Sequence, residues 1–116
     1  MVDEGRLVER LKAKELEAQR QFIQLHYEAV LRLMLSLVRD EDAHDLVQEV
    51  FVIAQRRIDG FRGDSSLKTW LFGIAYGEVR NWRRKAWRRV LVSDLAVGEG
   101  RGFVVVDLHG LVGLVV

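Results

Sequence analysis

The sequence predicts an all-α protein, a small bundle of three main helices with an irregular C-terminal tail rich in valine and glycine. Three observations lead to this prediction. Apolar residues recur at steps of three and four, the spacing of one face of an α-helix. The 116 residues include no proline, so no position loses the backbone donor that a helix interior needs. Clusters of glycine, serine and acidic residues mark the ends of the helical segments.

The first main helix is expected over residues 15–38, where the apolar periodicity is dense. Residues 1–20 hold fewer apolar side chains and many Glu, Lys and Arg. This composition is typical of a polar helix face, so we expect residues 1–20 to form a solvated or frayed helical extension.

The second main helix is expected over residues 43–58. Asp40, Glu41 and Asp42 precede it, and acidic side chains are favoured near the positive end of a helix. The apolar residues that its periodicity turns inward are Leu46, Val47, Val50, Ile53, Ala54 and Ile58.

Residues 59–66 are expected to form a loop, since they combine two glycines with side chains that compete for helical hydrogen bonds. Asp64, Ser65 or Ser66 can cap the third main helix, expected over residues 66–89. Gly73 and Gly77 lie inside that helix, where each costs about 1 kcal/mol relative to alanine. Either neighbouring helices or a partner should therefore approach closely there.

The composition changes after residue 89. Residues 90–116 hold 9 of the 17 valines and 5 of the 10 glycines, with a single basic residue, so they do not continue the helical pattern. The valine-rich runs are β-like or simply apolar. We expect an irregular tail over residues 90–116.

Several classes of site are excluded or disfavoured by the sequence. There is no cysteine, and His26, His44 and His109 show no metal-ligand spacing. No nucleophile motif and no complete phosphate loop is present. The apolar stretches are too short and too interrupted to cross a bilayer, and no targeting signal is visible. We expect a cytoplasmic protein that is not an enzyme, binds no metal or cofactor, and does not insert into membranes.

Charge is distributed unevenly along the chain. Residues 1–49 carry 7 basic and 11 acidic groups, whereas residues 50–89 carry 10 basic and 3 acidic groups. Cations track phosphates and aromatic faces stack unpaired bases, so a stripe of both on one helix predicts a surface for single-stranded or melting DNA. The alternative is a solvated helix end, where cations are favoured. The residues of this basic-aromatic stripe are Lys68, Phe72, Tyr76, Arg80 and Arg83.

The second helix has an outer stripe of its own, in which acidic and amide side chains surround an apolar one. A solvated helix face is one explanation. An acidic rim around an apolar spot also suits docking onto a basic protein helix. The stripe comprises Asp45, Gln48, Glu49, Val52 and Arg56.

Two segments carry a resemblance to a known family. Residues 42–51 read DAHDLVQEVF, and residues 61–75 read FRGDSSLKTWLFGIA. Over residues 21–89 the chain resembles region 2 of bacterial extracytoplasmic-function (ECF) sigma factors. The resemblance implies a small helical bundle that binds the coiled coil of the RNA polymerase β′ subunit and melts the −10 element of promoters. On this basis the chain is expected to act as a sigma factor in transcription initiation.

The resemblance also implies site residues. The polymerase-docking face maps onto Asp45, Gln48 and Glu49, beside Val52. The pocket for a flipped base of the non-template strand maps onto Phe61, Arg62, Asp64 and Ser65. The helix that reads the −10 element and grips phosphates maps onto Lys68, Trp70, Phe72, Tyr76, Arg80, Arg83 and Arg84. The implied partners are core RNA polymerase, promoter DNA and, as in other family members, an anti-sigma factor.

The chain departs from the family pattern in two places. The family commonly has Asn where Gly77 stands, and residues 90–116 do not read as the helix-turn-helix of region 4. An isolated region 2, a truncated or frameshifted product and a divergent form all fit these departures. Two alternatives to a working sigma factor are a module that docks on the polymerase without productive promoter use, and a non-functional remnant.

Overall fold

A computed structural model of the protein describes residues 3–97, 103–106 and 112–115. The chain divides into two compact units, residues 1–78 and 79–116. The first unit contains helices α1 (Glu4–Lys12), α2 (Leu16–Leu37) and α3 (Asp40–Arg57), and a 3-10 turn (Ile58–Gly60). Helix α4 (Leu67–Val97) begins in the first unit and continues into the second, which also contains strands β1 (Phe103–Val106) and β2 (Val112–Val115).

The three main helices match the helices predicted from the sequence, and the bundle predicted for residues up to 89 is confirmed. Helix α2 covers nearly all of the first predicted span, and α3 begins three residues earlier than expected, at Asp40. Its acidic first turn and its basic last turn, with Arg56 and Arg57, both favour the helix dipole. Residues 3–97 include no strand.

The core of the first unit is apolar and includes aromatic side chains from α2 and α3. The Phe22 and Phe51 rings meet edge to face, with 5.7 Å between centroids, and Tyr27 stacks against Phe51 at 6.3 Å. Val47 and Val50 of α3 are fully buried, as predicted, whereas Ile53 is only half-buried. Phe51 was not among the residues predicted to face inward, yet it is buried. The other large, fully buried side chains of this unit are Leu7, Val30, Met34, Leu67 and Leu71.

The N-terminal residues differ from the expectation of a solvated or frayed extension. Residues 4–12 form the separate helix α1, and Leu7 and Leu11 are only 2% and 3% exposed. Their spacing of four residues places both on one side of the helix, so this narrow apolar stripe is sufficient to dock it. Asp3 caps α1 by accepting a 3.2 Å hydrogen bond from the backbone amide of Arg6. Lys14, with φ of 62°, lies in the turn between α1 and α2.

Helix α4 begins with a side-chain cap and extends beyond its predicted end. Of the three cap candidates, Ser66 is the one that acts, and its Oγ accepts a 3.1 Å hydrogen bond from the amide of Thr69. The helix ends at Val97 rather than near residue 89. No proline interrupts it, and residues 90–97, which are mostly Val, Leu and Ala, are compatible with helix.

The irregular tail predicted for residues 90–116 is wrong in two respects. Residues 90–97 are helical, and β1 pairs with β2 as an antiparallel two-stranded sheet in which Phe103 lies opposite Val115. Valine favours extended backbone because its branched Cβ packs well on a pleated surface, and five of the eight strand residues are valines. The β-like character of the valine runs therefore decided their conformation. The rest of the tail prediction, for residues 98–102, 107–111 and 116, lies outside the described residues.

Replacing Leu7 with alanine should lower the free energy of unfolding by about 2–5 kcal/mol, the usual loss for a buried leucine. The matched change Leu16→Ala removes the same atoms from a side chain that is 73% exposed, and should shift stability by no more than about 0.5 kcal/mol. Urea unfolding followed by far-ultraviolet circular dichroism measures both. Equal stability of the two variants would mean that α1 does not belong to the core.

Candidate docking and nucleic-acid surfaces

The predicted docking residues lie together on the outer side of α3. Asp45, Gln48, Glu49 and Val52 are all exposed, while Leu46, Val47 and Val50 between them are buried. Within the described part of the chain, neither Asp45 nor Glu49 forms an ion pair. Val52 is 40% exposed, which is unusual for a valine in the middle of a helix. The α3 outer face therefore presents two uncompensated carboxylates beside an accessible apolar side chain.

The predicted base pocket lies in the loop formed by residues 61–66, between the 3-10 turn and α4. The loop turns at Gly63, whose φ of +80° is readily adopted only by glycine. Arg62, Asp64 and Ser65 are exposed, and the Ser65 hydroxyl donates to the Ser66 carbonyl at 3.1 Å. Three of the four residues assigned to this pocket are thus accessible to a ligand.

Phe61 differs from the expectation that it faces a flipped base. Its side chain is only 6% exposed and meets the Trp70 ring edge to face, with 5.3 Å between centroids. The amide of Phe61 also donates to the carbonyl of Ile58, which closes the 3-10 turn. Phe61 is therefore a core residue at the base of the loop. Trp70, which the resemblance assigned to the −10-reading helix, is half-buried against it.

The first-unit part of the basic-aromatic stripe, Lys68, Phe72 and Tyr76, lies at helical spacing along α4. The Lys68 Nζ lies 5.8 Å from the centroid of the Phe72 ring, a cation-π contact. Phe72 is half-buried, and Tyr76 is 50% exposed. A cation and two aromatic rings therefore follow one side of α4 from its first turn, an arrangement that can hold a phosphate and stack a base.

The remaining stripe residues lie on the part of α4 that belongs to the second unit. Arg80 and Arg84 are exposed, and Arg83 is half-buried. Trp82 is also half-buried. The side chains of residues 88 and 89 lie outside the described residues.

Two residues that contact the loop were missed by sequence reasoning, and both belong to α1. The Lys12 ammonium donates to the carbonyl of Phe61 at 2.8 Å. A carboxylate oxygen of Glu4 accepts from the amide of Leu67 at 3.1 Å. The spacing of Leu7 and Leu11 was the signal in the sequence that α1 packs on the core. It did not indicate that α1 contacts the loop.

The two helix glycines do not support close packing between helices. A Cβ placed on Gly73 or on Gly77 finds no atom within 4 Å. Of the two explanations drawn from the sequence, approach by neighbouring helices is therefore wrong within the described residues. Approach by a partner stays a prediction.

Within the described part of the chain, no three His, Cys, Asp or Glu side chains are grouped to hold a metal ion. In the same residues, no helix is both long and apolar enough to cross a membrane.

Comparison with known proteins identifies relatives of this chain. A family model described as sigma-70 region 2 matches residues 22–89. The ECF RNA polymerase sigma-E factor of Escherichia coli strain K12 is 35% identical over 97 residues, which is 84% of this chain and 51% of that protein. The sigma-E factor of Haemophilus influenzae is 31% identical over the same shares. The chain thus spans about half the length of the curated relatives it matches.

A solved structure is also similar to this chain. It is the NMR structure of an engineered region 2 of sigmaE in complex with GTAAAA. The two align with a TM-score of 0.71 and 29% sequence identity, over 77% of this chain and 94% of that one.

The environment of His26 predicts a pH dependence of stability. Burial lowers the pKa of His26 below its usual 6.5, with Lys68 also lowering it and Glu4 opposing both. The unfolded state then binds the proton more readily than the folded state, so stability falls as pH drops through the unfolded pKa toward the folded one. The melting temperature should therefore decrease between about pH 7.5 and pH 5.5.

His26→Gln should reduce this decrease, because it removes the titrating group. The exposed His44 provides the matched control, and His44→Gln should leave the decrease unchanged. If both variants keep the full pH dependence, the decrease arises from other groups and not from the burial of His26.

Proposed function

The chain belongs to the sigma-70 region 2 family, and from that premise we propose that it directs bacterial RNA polymerase to promoters by docking on the core enzyme and opening the −10 element. The observation that carries the proposal is the match over residues 22–89, a span that contains both the α3 outer face and the loop with the start of α4. Such a factor acts by binding rather than by chemistry on a substrate, and it works where the polymerase is, in the cytoplasm.

Docking on the polymerase is assigned to the α3 outer face. Asp45 and Glu49 lie one helical turn apart, and Val52 follows at three residues, so all three project from one side. Carboxylates without internal partners attract a basic helix at long range, and the apolar side chain beside them excludes water after contact. This chemistry suits the coiled coil of the β′ subunit as the partner.

Reading of the −10 element is assigned to the loop and to α4. Arg62, Asp64 and Ser65 offer hydrogen-bond donors and acceptors around the turn at Gly63, which suits the edge of a base taken out of its stack. Lys68, Phe72 and Tyr76 supply a cation and two rings for the adjoining nucleotides. The related region 2 in complex with GTAAAA supports a ligand of this kind for the chain.

The arginines of the second unit have a different role in this proposal. Arg80 and Arg84 are exposed, and guanidinium groups on a helix bind phosphates without distinguishing bases. Arg83 is assigned to the same role from its half-buried position. These residues should contribute affinity, while the loop contributes selectivity.

The docking assignment predicts that the double change Asp45→Arg, Glu49→Arg abolishes association with core RNA polymerase. Both positions are exposed, so the free energy of unfolding should change by no more than about 0.5 kcal/mol per site. Capture of purified core polymerase by the immobilised chain measures the association, and circular dichroism confirms the fold.

The matched control reverses two exposed acids elsewhere, Glu9→Arg and Glu17→Arg, which changes the net charge by the same amount. This control should still capture the polymerase. Binding by the folded Asp45→Arg, Glu49→Arg variant would contradict the docking assignment.

The assignment for DNA predicts two classes of variant in the reconstituted polymerase complex. Arg80→Ala should weaken binding to a −10 non-template oligonucleotide and to a scrambled one alike, and should reduce the salt dependence by about 0.7 because one phosphate contact is lost. Ser65→Ala should weaken the −10 oligonucleotide selectively. Titrations at several salt concentrations measure both effects.

If Ser65→Ala lowers the affinity for both oligonucleotides equally, the loop does not read the base sequence, and the surface is only a basic patch. Promoter opening by the same complex separates a working factor from the competing module that docks without productive promoter use. A complex that binds the polymerase and never opens a promoter would favour that module.

A further inference from the structure

Helix α1 holds the loop at both of its ends. At the start of the loop, the Lys12 Nζ lies 2.8 Å from the carbonyl oxygen of Phe61. At its end, the Glu4 carboxylate lies 3.1 Å from the amide of Leu67. Both bonds are partly buried, and they join residues that are 49 and 63 positions apart in the sequence. The two contacts therefore bracket the loop from a single helix.

The helix that makes these contacts is itself fixed to the core. Leu7 and Leu11 lie between Glu4 and Lys12 and are almost wholly buried. Each bond pairs a charged side chain with a backbone group, and such hydrogen bonds are stronger than neutral ones. A third contact, between Lys14 and Asp59, spans 3.4 Å but is exposed on both sides, so it contributes little.

The middle of the loop has no comparable support. Arg62, Asp64 and Ser65 are exposed, and the one side-chain hydrogen bond among them is the local bond from Ser65 to the Ser66 carbonyl. The positions of these three side chains therefore depend on where the two ends of the loop are held.

We propose that α1 is a clamp that sets the position of the loop, with Glu4 and Lys12 as positioning residues. The ability of the loop to discriminate between base sequences of single-stranded DNA then depends on this clamp. The proposal rests on the proposed function of the loop. Neither residue needs to touch DNA, because each acts through the backbone at one end of the loop. The buried leucines keep α1 docked when one of the two bonds is removed.

The test uses the full chain with Lys12→Met, which removes the donor and keeps most of the apolar stem, and with Glu4→Ala, which removes the acceptor. Lys12→Arg restores a charged donor and serves as the rescue. Two matched controls remove a charge from exposed sites without a contact to the loop, Arg20→Met for Lys12 and Glu9→Ala for Glu4. Affinities are measured for GTAAAA and for a scrambled hexamer of the same composition.

Each clamp variant should lower the ratio of the two affinities by about five- to tenfold, the fold-change that corresponds to the loss of one ordinary protein hydrogen bond. The controls and Lys12→Arg should keep the ratio of the unchanged chain. Amide hydrogen exchange of residues 62–66 should become faster in both clamp variants and not in the controls. This exchange reports the loop directly and does not depend on DNA.

The outcomes separate the clamp from the function on which it rests. If the unchanged chain discriminates between the hexamers and both clamp variants do so equally well, the clamp is overturned and the proposed function stands. If the unchanged chain does not discriminate, the proposed function of the loop fails, and unchanged exchange at residues 62–66 in the variants would overturn the clamp as well. Equal loss in the controls would assign the effect to charge and overturn the clamp. Because the two variants act at opposite ends of the loop, either one that folds is sufficient.

Discussion

The first turn of α4 imposes the constraint on which the first unit depends. An α-helix begins with backbone amides that have no partner inside the helix, and burying such amides unpaired is costly. Here Leu67 is fully buried, so its amide needs an acceptor, and the acceptor comes from the far end of the chain at Glu4. Ser66 serves the amide of Thr69 locally. Because the hydrogen bond from Leu67 to Glu4 joins the start of α4 to α1, it fixes the positions of α1, the loop and α4 relative to one another.

The two candidate surfaces of the first unit use opposite chemistry, and the local sequence of each explains why. The α3 outer face combines acids with one apolar side chain on a helix whose acidic first turn is favoured by its dipole. The start of α4 has no acid in its first turn and presents Lys68 with two aromatic rings. An acidic surface repels nucleic acid and attracts basic protein, whereas a basic surface with exposed rings does the reverse. The two surfaces of this small unit therefore favour partners of opposite charge.

The sequence predicted what depends on local periodicity and missed what depends on distant contacts. Helices α2, α3 and α4 follow from apolar residues at steps of three and four, and Ser66 was among the caps foreseen. The docking of α1 and the burial of Phe61 were not predicted. Lys12 and Phe61 are 49 residues apart, and no local sequence pattern indicates a contact at that separation. Phe61 also follows a glycine and precedes an arginine, and in such a polar loop context an aromatic side chain is predicted to be exposed. The tail was missed for another reason, since its valine runs fit either an apolar coil or a strand until pairing between β1 and β2 decides.

The placement of α1 has a consequence for how the chain acquires its structure. A helix of nine residues is too short to persist alone in water, because nucleation costs more than so few hydrogen bonds return. Its partners on the loop and on α4 are 49 and 63 residues away, so closing those contacts requires the ordering of a long intervening chain. During synthesis α1 therefore leaves the ribosome well before its partners do, and it reaches its final contacts only after Leu67 has emerged. A helix that is synthesised early in this domain is thus among the last to be fixed in place.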